Sequence, residues 1–494
     1  MMKLLSLISG VAIAAATVFA SAAASAGDIT IAIGSEPSTL DPQVRDDGGE
    51  RAINDNIYET LMARTADAKL VPGLAAADPV QTNPTTWEFK LRPNITFTDG
   101  EPFNADAVVA SVKRIIDPAL KSEQISYFGT ITGANKVDDL TVDVTTNGPD
   151  PILPARMYWM KMVPPKYVSD PNFASHPIGT GPYLFDSWSR GDSIVLKANP
   201  NYWGGAPSIG QVTFKFIGES GTRLSGLMAG ELDLITNLLP EFTKQVPKFA
   251  AVPGLETSLM VLSTENPATK DVRVREAMNL AVDRDALAKD LFGGYAKVAP
   301  GQIVNSKAFG FNKDLAPYPY DPAKAKELIK EAGAEGSTVT LQGESGRWLK
   351  DRETIEAVAA YWTAIGLKVD VQISEFGEYL NRLFDKNKRP DAIFVDNSDE
   401  LLDADRAVTS GYESGASFAS NNDQEMAAES KAARVETDPV KRAAMYADIT
   451  KKAYDGYYLL PLLYLDDIYG MSARLEWTPR VDSKLIVKEM KTTD

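Results

Sequence analysis

The residues able to do covalent chemistry are few. The chain has no cysteine and one histidine, His176. That removes thiol nucleophiles, disulfides and thiolate metal sites, and leaves no multi-histidine metal set. His176 stands in Ser175-His176-Pro177, just before a glycine-rich turn, with no orienting acid near it in the sequence. A general base needs such a partner, so His176 reads as a structural or surface residue. Carboxylates are abundant, yet no pair stands out as the two acids of a glycosidase. Asp396, Asp399, Glu400, Asp403 and Asp405 form a dense acidic stretch without the spacing and glycine of a calcium loop. Two readings stay open for it: a solvated acidic loop, or a wall that meets a cationic ligand group. The stretch leaves the apolar run Ile393-Phe394-Val395, and the exit of a buried strand is where α/β proteins place ligand contacts. Arg347-Trp348 likewise follows the strand-like Val339-Thr340-Leu341. The arginine fork can hold a ligand carboxylate and the tryptophan can stack; the alternative is a surface ion pair beside a packed aromatic. The glycines between Gly34 and Gly49 lack a phosphate-loop signature. Met157, Met160 and Met162 read as core packing.

The elements that must position these residues alternate between strand and helix. Ile29–Ile33 is an apolar strand stopped by Gly34 and Pro37, and Trp87, Phe89 and Leu91 alternate with polar residues as in a half-buried strand. Asn104 can cap a helix carrying Val108, Val112 and Ile115 on one face. Strands are expected at Val142 and Val144, at 193–198 and at 211–217. Val274, Ala277, Met278 and Ala281 form one helical stripe and Leu287 with Leu291 another. Asp321-Pro322 and Asp438-Pro439 open helices with a capping residue and a proline in the first turn. A helix over 353–365, with Ile355, Val358, Ala359 and Trp362 inward, is followed by a strand with Val369, Val371 and Ile373. The alternation predicts α/β layers.

The composition bounds the setting. The chain has 494 residues, about three domain-sized units. With 51 basic and 67 acidic residues its formal charge is −16, which gives no global attraction to nucleic acid or anionic lipid. Residues 1–26 read as a cleavable secretory signal: Lys3, the apolar Leu4 to Phe19, and Ala24-Ser25-Ala26. No later window is apolar for the ~18 residues a membrane span needs. Without cysteine there is no lipid attachment, so a free periplasmic protein without stable membrane insertion is expected.

Taken in order, a set of segments resembles a known family. They are Ser38-Thr39-Leu40-Asp41-Pro42, Trp87 to Arg92, Phe97 to Val109, Gly179-Thr180-Gly181-Pro182-Tyr183, Asn199 to Gly205, Asp271 to Ala277, Ala281 to Arg284 and Tyr320 to Ala325. The chain resembles the periplasmic solute-binding proteins of ABC importers, in the dipeptide, oligopeptide and nickel class (family 5, cluster C). The resemblance implies a two-lobed α/β Venus-flytrap fold with an extra subdomain inserted in lobe I. Lobe I would comprise 28–60, 180–268 and 473–494, the extra subdomain 61–179, and lobe II 269–472.

The resemblance also implies a site. Ser35, Glu36 and Pro37 would line the cleft after the first strand, and Tyr127 or Phe128 would reach the ligand from the extra subdomain. Arg347 and Trp348 fall where dipeptide binders meet the ligand carboxylate, and Phe376 where they usually carry tryptophan. Peptide binders then have Gly-Trp and an aspartate for the α-amino group. Here the stretch reads Val395-Asp396-Asn397-Ser398-Asp399-Glu400, with Asp399 or Glu400 as the anchoring acid. The departure widens the expected ligand from a short peptide to a peptide-like small molecule or amino-acid conjugate, with opine, oligosaccharide and nickel-chelate ligands as alternatives. Other implications are a membrane permease as partner, no cofactor, a monomer and no catalysis. A secreted hydrolase is the rival from another class.

Overall fold

The computed structural model describes residues 27–345, 347–374, 376–385, 388–416 and 418–493. The expected signal, 1–26, lies outside the described residues. Two long strands organise the rest: Lys248–Leu262 and Leu459–Met471, paired antiparallel along their lengths. Their register breaks between Pro253 and Thr257 and again between Ser258 and Leu259. Such breaks bend a ladder and sharpen its twist. An eleven-stranded sheet grows from this pair in both directions. On the Leu459–Met471 side follow Leu234–Ile235, Ile29–Ile33, Gln211–Phe216, Ser193–Ala198 and Tyr183–Ser189. On the Lys248–Leu262 side follow Ala392–Ser398, Thr338–Gly343 and Lys368–Ile373. The two halves fill separate cores. Ile31, Tyr183, Ile194 and Phe214 belong to one, and Met260, Met278, Leu341, Trp362 and Phe394 to the other. This is the two-lobed α/β arrangement that the family resemblance implied.

Local rules account for the elements. Ile29–Ile33 has parallel neighbours on both edges, and a strand covered on both faces is apolar almost throughout. The caps behave as read: Asn104 accepts from the amides of Asp106 and Ala107, Asp321 from Lys324, and Asp438 from Val440 and Lys441. The helix expected over 353–365 runs Asp351–Ala364. It begins earlier because the loop before it folds onto the Asp351 carboxylate. Trp362 is fully buried and its indole N–H donates to the carbonyl of Met278 at 3.0 Å. At Leu287–Leu291 the chain forms a π turn rather than a plain continuation of the helix.

The inserted subdomain has a four-stranded antiparallel sheet in the order Val80–Asn83, Thr86–Lys90, Thr141–Thr146, Ile131–Asp138. Its core joins Phe89, Val108, Val112, Phe128, Val142 and Trp159, and takes Leu401 from the turn that follows strand Ala392–Ser398. The turn at Gly179-Thr180-Gly181 presses against the end of helix Gly48–Ile57. A Cβ on Gly179 would stand 2.0 Å from the carbonyl oxygen of Ile57. Gly179→Ala is therefore expected to cost at least about 1–3 kcal/mol of stability, read as a lower thermal midpoint. Gly48→Ala, where a Cβ meets nothing within 4 Å, should leave the midpoint in place.

Candidate functional site

The acidic stretch leaves strand Ala392–Ser398 facing the subdomain. Glu400 accepts from the Tyr127 hydroxyl at 3.1 Å and lies 3.2 Å from the Arg406 guanidinium and 3.8 Å from that of Arg51. Tyr127 stacks on Trp159 with ring centroids 5.1 Å apart. Arg406 sits over the Tyr127 ring at 4.4 Å, and Arg51 over Trp159 at 4.7 Å. Cations on ring faces gain most when shielded from water, and here both also face a carboxylate. Burial first, then the Glu400 charge working against Arg406, raises the Tyr127 hydroxyl above its ordinary range, so it donates as a neutral group. Phe128 is core of the subdomain; of the two expected aromatics, Tyr127 is the one that reaches across.

Asp399 is 1% exposed. Its Oδ2 accepts from the Asn305 amide at 3.3 Å, while Oδ1 has no partner. Burial pushes its carboxyl up to about 7, with Asp403 and Glu400 adding to the rise. Asp396 is 9% exposed, with no hydrogen bond completed on either oxygen. Burial pushes its carboxyl up to about 7, and the Ser258 hydroxyl eases the charge without closing a full bond. Asn397 has an unpartnered Nδ2, and the Ser398 carbonyl accepts from Arg406 at 2.7 Å. The rest of the stretch is neither solvated nor available to a ligand, which corrects the loop reading. Asp403 is clasped by Arg442 at 2.6 and 2.7 Å; Asp405 by Arg156 at 2.6 Å and Arg434 at 2.9 Å.

Arg347 stands on the loop ahead of helix Asp351–Ala364. The carboxylate of Asp351, in the first turn of its helix, accepts the amides of Arg347 at 3.1 Å and Trp348 at 3.2 Å. The loop is thereby pinned with Arg347 pointing across to Asp47, 2.9 Å away. Trp348 meets Tyr379 and Phe394 edge to face at 6.0 and 5.8 Å, so part of its surface belongs to the wall. Glu344, beside Arg347, is raised to about 7 by burial, against the pull of Arg347. Ser35 is exposed and Pro37 buried, and Glu36 is engaged by the Trp188 indole at 2.9 Å and the Gly191 amide at 3.1 Å. Phe376 opens helix Phe376–Phe384; its side chain lies outside the described residues. His176 is exposed and rests edge-on against Phe185 at 5.5 Å.

Several site residues were not anticipated. Arg51 lies in helix Gly48–Ile57 behind its Asp47 cap. Lys161 bridges Asp46 at 2.9 Å and Asp55 at 3.1 Å, and Lys484 reaches Asp55 at 3.1 Å. Glu256 and Asp467 sit at the register break of the long strands. One signal was present: Glu256 interrupts a strand whose neighbours Leu255, Leu259 and Val261 are apolar. Two surface recesses, about 690 Å³ near Asp99 and Lys166 and about 140 Å³ near Asp55 and Arg480, share none of the expected ligand residues.

Residues 69–419 match the sequence profile of the bacterial extracellular solute-binding proteins, family 5. The chain belongs to this family. Its members are the binding proteins of transporters, not enzymes. A glutathione-binding protein, GsiB of Shigella flexneri, is 30% identical over 377 residues, covering 74% of this chain and 73% of that protein. Among solved structures, the Helicobacter pylori periplasmic binding protein DppA, in complex with the peptide STSA, superposes with a TM-score of 0.84 at 24% identity, over 95% of this chain and 98% of that one. AgaA of A. tumefaciens, in complex with agropinic acid, superposes with a TM-score of 0.83 at 24% identity, over 95% and 99%. These likenesses show that this family 5 chain has the fold of two-lobed periplasmic binding proteins.

Proposed function

We propose that this chain is the periplasmic receptor of an ABC importer and that it captures a short peptide or a peptide-like amino-acid conjugate between its lobes. The observation that carries the reading is the polarity of the cleft. Arg347 meets Asp47 at 2.9 Å, Arg51 lies 3.8 Å from Glu400, and Asp399 keeps one buried oxygen unpartnered. That arrangement suits a zwitterion: Arg347 for a carboxylate, Asp399 for an ammonium, and Tyr127 with Trp159 as an aromatic wall. Glu400 is occupied by Tyr127, Arg406 and Arg51, which favours Asp399 as the anchoring acid. Ser35 and Asn397 are assigned to the rim and floor.

The proposed hinge is the register break between Pro253 and Thr257, ahead of the expected lobe boundary at 268/269, because Met260 and Leu262 already pack with Met278 and Trp362. Closure buries polar groups that the ligand must pair. It also changes the surface offered to a membrane permease, the proposed partner of a monomeric, unanchored receptor exported by a cleaved signal at 1–26. No reaction is catalysed in this reading. Arg347→Ala should weaken a carboxylate ligand by about 1.5–3 kcal/mol, and unchanged calorimetric affinity would sink its role. The reading itself is tested by mass spectrometry of ligands that co-purify, followed by a thermal-shift panel of peptides, opines and oligosaccharides. Turnover of a bound compound would favour the hydrolase instead.

A further inference from the structure

The two strands at the cleft floor carry an arrangement that a zwitterion does not use. Ser258 pairs with Asp396 in register, and Glu256 with Ser398. Alternation puts Glu256, Ser258 and Asp396 on the face that carries Met260, Leu262 and Phe394 deeper in the core. The face thus turns from apolar to acidic where it enters the cleft. A buried carboxylate without a partner is costly. Asp396 nonetheless has no completed hydrogen bond, and neither Asp396 nor Glu256 has an ion pair among the described residues. The nearby cations are engaged elsewhere: Arg347 with Asp47 at 2.9 Å, Arg51 with Glu400 at 3.8 Å and the Trp159 ring. Asp467 adds a third acid at the same break, half satisfied by the Ser483 hydroxyl at 2.6 Å.

We infer that Asp396 and Glu256, with Asp467 beside them, form a second cation subsite that takes an ammonium or guanidinium group on the ligand, separate from the α-amino group at Asp399. This rests on the peptide-like reading above. An organic cation fits better than a metal, because no group of three metal-holding side chains assembles among the described residues. Ammonium and guanidinium groups donate several charge-assisted hydrogen bonds, which two or three separately placed carboxylates accept well. The raised carboxyls of Asp396 and Glu256, about 7 and about 8, agree with groups that lack a counter-charge until a ligand brings one.

The experiment is titration calorimetry with alanyl-arginine and alanyl-citrulline, whose side chains share a shape but not a charge. The arginine peptide is expected to bind the wild-type protein at least about tenfold tighter. Asp396→Asn should remove most of that ratio while sparing the citrulline peptide, and should raise the thermal midpoint of the ligand-free protein. Glu256→Gln repeats the test if the first variant fails to fold. Equal affinity of the two peptides for the wild-type protein overturns the cation subsite and leaves the peptide reading standing. Binding of neither peptide overturns both.

Discussion

Replacing Arg156 with alanine is expected to lower the stability of the ligand-free protein by about 3–5 kcal/mol, the loss seen when one member of a buried ion pair is removed. Arg156 is 2% exposed. Its guanidinium meets Asp150 at 2.8 Å and Asp405 at 2.6 Å, and donates to the Tyr127 carbonyl at 2.8 Å. Removing it leaves Asp150, fully buried, with the Thr130 hydroxyl at 2.5 Å and the Ile152 amide at 3.1 Å but no ion pair among the described residues. Asp405 keeps Arg434 at 2.9 Å and the Thr409 hydroxyl at 3.5 Å on its other oxygen. Because Arg156 ties Asp150, just ahead of helix Leu153–Trp159, to Asp405 in helix Ala404–Tyr412, and the proposed lobes put these on opposite sides of the cleft, the variant should also spend less time closed and bind more weakly. Arg156→Lys should rescue little, since one ammonium cannot reproduce a planar fork with three directions of donation. Urea denaturation checks the first effect and calorimetry the second. A stability within about 1 kcal/mol of wild type would show that the bridge contributes little to the folded protein.

The second large effect is on pH. The ligand-free protein should become less stable as pH rises from about 5 to about 8. The cleft carboxyls titrate high: Asp467 near 6, Asp396, Asp399 and Glu344 near 7, Glu256 near 8, in each case chiefly through burial. The charges facing them are mixed. Arg347 and Arg51 favour ionisation of Glu256, whereas Asp351 and Asp403 oppose it at Asp396 and Asp399. A carboxyl whose folded pKa exceeds its unfolded value contributes stability below the unfolded value, and that contribution is lost as pH climbs through the folded one. Each carboxylate left charged and buried without a partner costs about 1–3 kcal/mol. Asp55 runs the other way. Burial opposes it, but Lys161, Lys484 and Arg51 lower it to about 2, so its support is present above the ordinary aspartate range and fades only in stronger acid. The thermal midpoint should therefore peak in mildly acidic solution. A cationic ligand should flatten the decline and release protons on binding. A midpoint that stays level from pH 5 to pH 8 would contradict this account.

The elements were legible where one rule acts alone. A capping residue before Pro322 or Pro439, the 3.6-residue spacing of Ile355, Val358 and Trp362, and the apolar Ile29–Ile33 each depend on near neighbours, and each appears as read. The start of helix Asp351–Ala364 was harder, because the Asp351 carboxylate accepts amides from a loop before it. The site was legible in part. Arg347 and the Asp396–Glu400 stretch leave strand ends, a position readable in one dimension. Arg51 and Glu256 became visible only when the chain brought a helix from near its beginning over two strands from its second half. Asp403 and Asp405 look the same as Asp399 in the sequence. Only the arrival of Arg442, Arg434 and Arg156 from distant segments tells a clasped acid from an unpartnered one.

Leu459–Met471 has a consequence for how the molecule comes into being. It is the strand through which Leu234–Ile235 and the N-terminal strand join Lys248–Leu262 and its neighbours. It is also the last long strand to be synthesised. Until it is made, the sheet exists as two unjoined fragments, each with an open edge, and Ile29–Ile33 waits on partners some two hundred residues downstream. Pairings so remote in sequence slow folding, because the chain must surrender loop entropy before contacts repay it. The two halves of the sheet thus join only when nearly the whole length of the chain has emerged, a delay that would suit the proposed export of the chain before it acquires its final shape.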